Sequence, residues 1–125
     1  MKYNIFILLL WMATSAFSQE GNRPRTDTLS IVTSAQCGMC KERIEKTLAY
    51  EKGVVDVTLD LKTKIVTVVY NPRRTQPDAI RLAITQTGYD ADQLKADEKA
   101  YKRLPPCCKK PDDPDYRGHG EHESS

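Results

Sequence analysis

The chain has 125 residues, 39% of them hydrophobic and 29% charged, with 19 Lys and Arg set against 17 Asp and Glu. That length holds one modest domain, and a balance so close to neutral offers no field to attract nucleic acid or an anionic membrane surface. There is no Ser-His-Asp set, no carboxylate pair on a shared face and no Gly-rich phosphate loop, whereas four cysteines are present, Cys37, Cys40, Cys107 and Cys108. The chemistry to look for is therefore that of thiols.

Residues 1–18 read as a cleaved secretory signal. Lys2 supplies the charged start, Ile5 to Ala13 the apolar run, and Ala16-Phe17-Ser18 the small-residue cleavage site, leaving Gln19 first. The run is too short for a membrane span, which needs about 20 apolar residues. Gln19 is not the Cys that a bacterial lipoprotein would carry. Cleavage removes Lys2 alone, so 19 minus 1 basic residues face 17 acidic ones. The expectation is a soluble mature protein, exported across the inner membrane to the periplasm or beyond, with no stable membrane insertion once the signal is gone. Residues 19–27 lack apolar side chains and contain Gly21 and Pro24, so they read as a flexible leader.

Leu29 to Ser34 is rich in β-branched residues and predicts a first strand, ending in a Gly-containing loop from Ala35 to Met39. From Cys40 to Tyr50 the period becomes helical, with Cys40, Ile44 and Leu48 on one face and an ion pair expected from Glu42 to Lys46. Gly53 stops that helix. Val55, Val57, Leu59 and Leu61 then alternate with Val54, Asp56, Thr58 and Asp60 and predict a strand with one buried face. Lys62-Thr63-Lys64 turns into a third strand, Ile65 to Tyr70, whose two faces are both largely apolar and leave its register open. A second helix is expected with Thr75 as N-cap, Pro77 in the first turn, Ile80, Ala83, Ile84 and Thr87 on its apolar face, and Gly88 at its end. Tyr89 to Leu94 supplies a short fourth strand.

The order β-α-β-β-α-β predicts an α+β fold over residues 28–94. It is a ferredoxin-like βαββαβ sandwich, with a four-stranded antiparallel sheet and both helices on one face. Residues 95–108 hold a short C-terminal helix, with Ala96, Ala100 and Leu104 on one side, then Pro105-Pro106 and the Cys107-Cys108 pair. Residues 109–125 are expected to be a disordered tail.

Cys37-Gly38-Met39-Cys40 falls where a strand hands over to a helix. Backbone N–H groups and the positive end of the helix dipole favour a thiolate there, with Lys41 and Arg43 adding positive charge. Thiolate is the form that binds metal, and soft sulfur selects Cu(I), Zn(II) or heavier soft ions over Mg or Ca. Two sulfurs suit a nearly linear ion, whereas tetrahedral zinc wants four ligands. In an oxidising compartment the same pair could instead close a local disulfide. Adjacent cysteines bond to each other only with strain, so Cys107 and Cys108 need outside partners. Either they join Cys37 and Cys40 in a three- or four-sulfur site, or they form a tail or intermolecular disulfide. Met39 could add a thioether. His119 and His122 are read as parts of a solvated tail, and Tyr89 as a core aromatic near the metal loop.

From about Leu29 to Leu94 these residues resemble the heavy-metal-associated domain family. Its members include copper chaperones, metal-binding modules of copper-exporting ATPases and periplasmic mercury-binding proteins. The resemblance rests on Cys37-x-x-Cys40 after the first strand, on Gly53-Val54 opening a GV-x-x-V segment, and on Gly88-Tyr89. Ala35 stands where the family usually has Met, which bears on loop rigidity more than on ligation. The Cys37 to Glu45 run and the later Leu-Pro-Pro-Cys-Cys-Lys are similar to those of a secreted subgroup. The resemblance implies that Cys37 and Cys40 hold the ion, Cu(I) first and Zn(II) or Hg(II) after it, and that a metal-transporting or metal-accepting protein is the partner. It implies transfer or sequestration without catalysis. A thiol-disulfide oxidoreductase using the same pair and a disulfide-stapled interaction domain are the alternatives. The first is disfavoured because residues 54–70 read as an antiparallel hairpin rather than part of a parallel βαβ unit.

Overall fold

The computed structural model describes residues 25–118. The expected signal segment, most of the leader, and His119 and His122 lie outside the described residues. The elements run β1 (Asp27–Val32), α1 (Gly38–Ala49), β2 (Val54–Asp60), β3 (Ile65–Tyr70), α2 (Pro77–Thr87), α3 (Glu98–Lys102) and a 3-10 turn at Pro106–Cys108. β3 lies between β1 and β2 and is antiparallel to both.

The open register of β3 is set by its neighbours. Ile31 and Leu59 both stand opposite Val66, and all three are buried, so Val66, Val68 and Tyr70 face inward while the odd-numbered positions are half-buried on the other face. Onto the inner face pack Cys40, Ile44 and Leu48 of α1 and Ile80, Ala83 and Ile84 of α2, giving one continuous core. At about 1.5–3 kcal/mol for each fully buried large aliphatic side chain, this layer is what holds a domain of such size together.

Several local expectations are corrected. Val55 was expected inside but is 62% exposed. A bulge between Val54 and Asp56 makes it the extra residue of the strand, and Val54 packs on the core in its place. The α1 ion pair joins Lys41 to Glu45 rather than Glu42 to Lys46. Glu45 also accepts the Leu59 N–H (2.9 Å) and Lys41 donates to the Leu59 carbonyl (2.6 Å), so β2 selects the pair. Gln76, not Thr75, is the cap of α2, because the residue before Pro77 is forced extended. Thr75 instead lies against Gly53, leaving no room there for a Cβ. Thr85 replaces Thr87 among the buried residues of α2.

The fourth strand is reduced to a bridge. Among the described residues the sheet has three strands, and Ala91 pairs with Thr33 at the β1 edge, where a fourth strand of this topology belongs. Asp92 takes a positive φ of 52°. Its carboxylate accepts the Val32 N–H (2.9 Å) and the Arg81 guanidinium (2.8 Å). Ala91 and Leu94 exchange backbone hydrogen bonds of 2.9 and 3.0 Å, which folds the segment back on itself before a strand can extend.

The C-terminal helix is shorter than expected, because the Asp97 side chain caps it by accepting the Ala100 N–H at 2.9 Å. Residues 109–118, expected within a disordered tail, instead pack back. Lys110 pairs with Asp90 at 2.7 Å, Tyr101 donates to Asp113 at 2.8 Å, and the Arg117 N–H reaches the Pro106 carbonyl at 3.2 Å. No helix among the described residues is long and apolar enough to cross a membrane.

Candidate metal centre

After β1 the Thr33 hydroxyl donates to the Lys64 carbonyl (2.9 Å) and accepts the Ala35 N–H (3.3 Å), tying the loop to the β2–β3 turn. Ala35 itself is fully buried in the core. The loop is therefore anchored although the family's Met is missing. Helix α1 begins earlier than the sequence pattern predicts, at Gly38, so Cys37 is its N-cap and Cys40 its third residue. One helical turn brings residues three apart together, and the two sulfurs lie 3.3 Å from each other. Lys41, expected to lend charge to the thiols, spends its ammonium on Glu45 and Leu59.

The C-terminal segment brings the second pair to the same place. Cys108 Sγ lies 3.7 Å from Cys37 Sγ. Cys107 Sγ lies 3.8 Å from Cys37 Sγ, 3.9 Å from Cys108 Sγ and 3.7 Å from Met39 Sδ. The sulfurs of Cys37, Cys40 and Cys108 all lie within 4.8 Å of one another, and all three residues are buried. Cys107 is half-buried and Met39 is 48% exposed, so these two form the solvent side of the cluster. All four cysteines are free thiols. Metal–sulfur bonds of about 2.3 Å place the sulfurs of a tetrahedral ion roughly 3.8 Å apart. The contacts of Cys37 with Cys107 and Cys108 match that spacing.

Tyr89 closes the cluster from inside. It is fully buried, and its hydroxyl has no hydrogen-bond partner among the described residues. Burial, then Cys108 and Cys40, push its phenol well above the ordinary value. Burial, then Cys40, likewise push the Cys108 thiol up. A thiol loses its proton as a cation binds to it, so recruiting the buried Cys108 to an ion would couple metal binding to proton release. The sequence located Cys37, Cys40 and Tyr89. It left Cys107 and Cys108 open, and it missed Thr33, Asp90 and Lys110, which position the loop and the segment through contacts distant in sequence.

The model of the heavy-metal-associated domain matches residues 31–90, which hold β1, the Cys37 to Cys40 turn and both main helices. Those residues belong to the heavy-metal-associated domain family. A copper-exporting P-type ATPase of Staphylococcus saprophyticus is 39% identical over 75 residues, covering 58% of this chain but 9% of that protein. The chain thus spans less than a tenth of the length of such curated relatives. Among solved structures, the CopZ metallochaperone aligns with a TM-score of 0.51 and 26% identity, covering 52% of this chain and 98% of that one. The N-terminal domain of a potential copper-translocating P-type ATPase from Bacillus subtilis, solved in its Cu(I)-loaded state, aligns at 0.51 and 28%, covering 54% of this chain and 85% of that one. These alignments cover the heavy-metal-associated domain's ferredoxin-like arrangement and not the whole chain. The cysteine motif of this domain, with the C-terminal pair beside it, makes it a metal-binding module.

Proposed function

We propose that the protein is an exported carrier that takes up a soft metal ion, Cu(I) before Zn(II) or Hg(II), on Cys37 and Cys40 and hands it to a metal-transporting or metal-accepting protein. The observation that carries this reading is the 3.3 Å approach of two free thiols at the first turn of α1. Soft sulfur favours a soft ion, and the similar proteins named above are copper exporters and a metallochaperone. Export is supported by the Lys2, apolar run and Ala16-Phe17-Ser18 pattern.

The chemistry needs no catalytic step. Each thiol gives up its proton as a metal–sulfur bond forms. Transfer follows when a thiolate of the acceptor bonds to the ion while one of the carrier's sulfurs leaves and regains a proton. Presenting the reduced protein with equal Cu(I) and Zn(II), then mixing the loaded form with a metal-free soluble domain of a copper-exporting ATPase, tests both halves. Copper should displace zinc and appear on the acceptor. Zinc retained in preference, or copper that no acceptor can withdraw, contradicts the proposal. Sequencing the mature N-terminus tests the export reading, with Gln19 the expected first residue.

A further inference from the structure

We infer that the C-terminal segment is a built-in gate on the metal site, with Cys108 as a third sulfur ligand supplied in cis at the coordination place that an acceptor thiolate must take. This rests on Cys37 and Cys40 holding the ion, and adds a statement about how that ion is kept and released.

The segment is held at the site by contacts with Gly88, Thr85 and Asp90 rather than resting there. Ala100 and Leu104 pack so closely on Gly88 that an added Cβ would meet them at 3.0 to 3.1 Å. The Asp97 N–H bonds the Thr85 carbonyl at 2.9 Å, fixing the start of α3 to the end of α2. Asp90 accepts the Ala96 N–H at 2.9 Å and pairs with Lys110 at 2.7 Å, so one carboxylate grips the segment before and after the cysteines. Beyond them, the Lys110 N–H donates to the Tyr101 hydroxyl at 3.0 Å. Between these attachments the 3-10 turn points Cys108 inward, where it is 1% exposed and 3.7 Å from Cys37 across 71 positions of sequence. Cys37 and Cys40 are themselves buried, at 4% and 0% exposure.

An ion on Cys37 and Cys40 therefore has a third sulfur at hand before any partner arrives. A tethered ligand competes at an effective concentration of about millimolar or more, against which a dilute acceptor thiolate is at a disadvantage. Exchange then requires the Cys108 sulfur to leave the ion, take up a proton, and yield its place to the incoming thiolate. The half-buried Cys107 and exposed Met39 mark the side from which that thiolate enters.

Copper X-ray absorption of the full mature chain loaded with one equivalent of Cu(I) reads the number of sulfurs without any substitution. Three are expected, and two in the wild-type protein would overturn the inference. Withdrawal of Cu(I) by excess bathocuproine disulfonate, followed in the wild type and in Cys108→Ser, supplies the second readout. Release should quicken by at least the roughly 10–100-fold that even an outer-shell change costs a metal site. Equal rates would overturn the gate. If Cys37→Ser and Cys40→Ser still bind Cu(I) at wild-type affinity, it is the underlying carrier reading that has failed.

Discussion

Each sulfur occupies a different kind of position, and each position predicts a different response. Cys107 stands on the solvent side, 3.8 Å from Cys37 and 3.9 Å from Cys108, where it can complete a tetrahedron but is not needed for a three-coordinate ion. Cys107→Ser should leave Cu(I) affinity within about threefold while weakening Zn(II) by roughly tenfold or more, since zinc wants four ligands. Competition titrations with both ions check this, and equal losses would contradict it. Tyr89 offers a second test. Its buried hydroxyl has no hydrogen-bond partner among the described residues, and an unsatisfied buried hydroxyl costs about 1–3 kcal/mol. Tyr89→Phe should therefore not lower the stability of the metal-free protein, and should raise it by up to about that amount in denaturant unfolding.

Helices and strands were legible in the sequence wherever one physical preference acted alone. The i, i+4 spacing of Cys40, Ile44 and Leu48 gave the buried face of α1, and Gly88 gave the end of α2, where its φ is 108°. Gly88→Ala places a side chain in that conformation and within 3.0 Å of the Ala100 backbone. It should destabilise the fold by about 2 kcal/mol or more, of which about 1–2 is the backbone preference alone. Thermal unfolding measures it, and an unchanged midpoint would contradict the packing described. What could not be read was decided between elements. Val55 obeys period two in sequence, but a bulge turns it out. The fourth strand had the right length, but Asp92, held by Val32 and Arg81, bends it after a single bridge.

At the scale of the whole molecule, a 60-residue matched domain is joined by a C-terminal segment that covers its metal loop. Nothing local in Pro105-Pro106-Cys107-Cys108 foretells that arrangement, because the contacts that fix it come from Asp90, Gly88 and Thr85. The sequence did place Cys37 and Cys40 together, since two intervening residues at a strand-to-helix junction let both sulfurs turn toward one point; that Cys37 caps the helix was not legible. The segment's attachment carries a pH dependence. Burial alone would raise the Asp90 carboxyl, but Lys110 and the Ala96 N–H outweigh it and hold the group below the ordinary value. A carboxyl depressed by folding stabilises the folded form above its unfolded value of about 3.9 and loses that effect as pH falls through the lower folded value. Asp113, held low first by the Asp115 N–H and then by Tyr101, acts in the same direction. Acidification below about pH 4 should thus speed hydrogen exchange in residues 109–117, and less so in Asp90→Asn. Exchange that ignores pH after correction for its intrinsic rate would contradict this.

The most direct measurement is the Cu(I) affinity of the reduced protein against a competing chelator, repeated with Cys37→Ser and with Cys40→Ser. Tight binding of one ion by the wild type, lost in both variants while each still folds, is the predicted result. Affinity that survives either substitution unchanged would contradict the assignment of the first turn of α1 as the metal site.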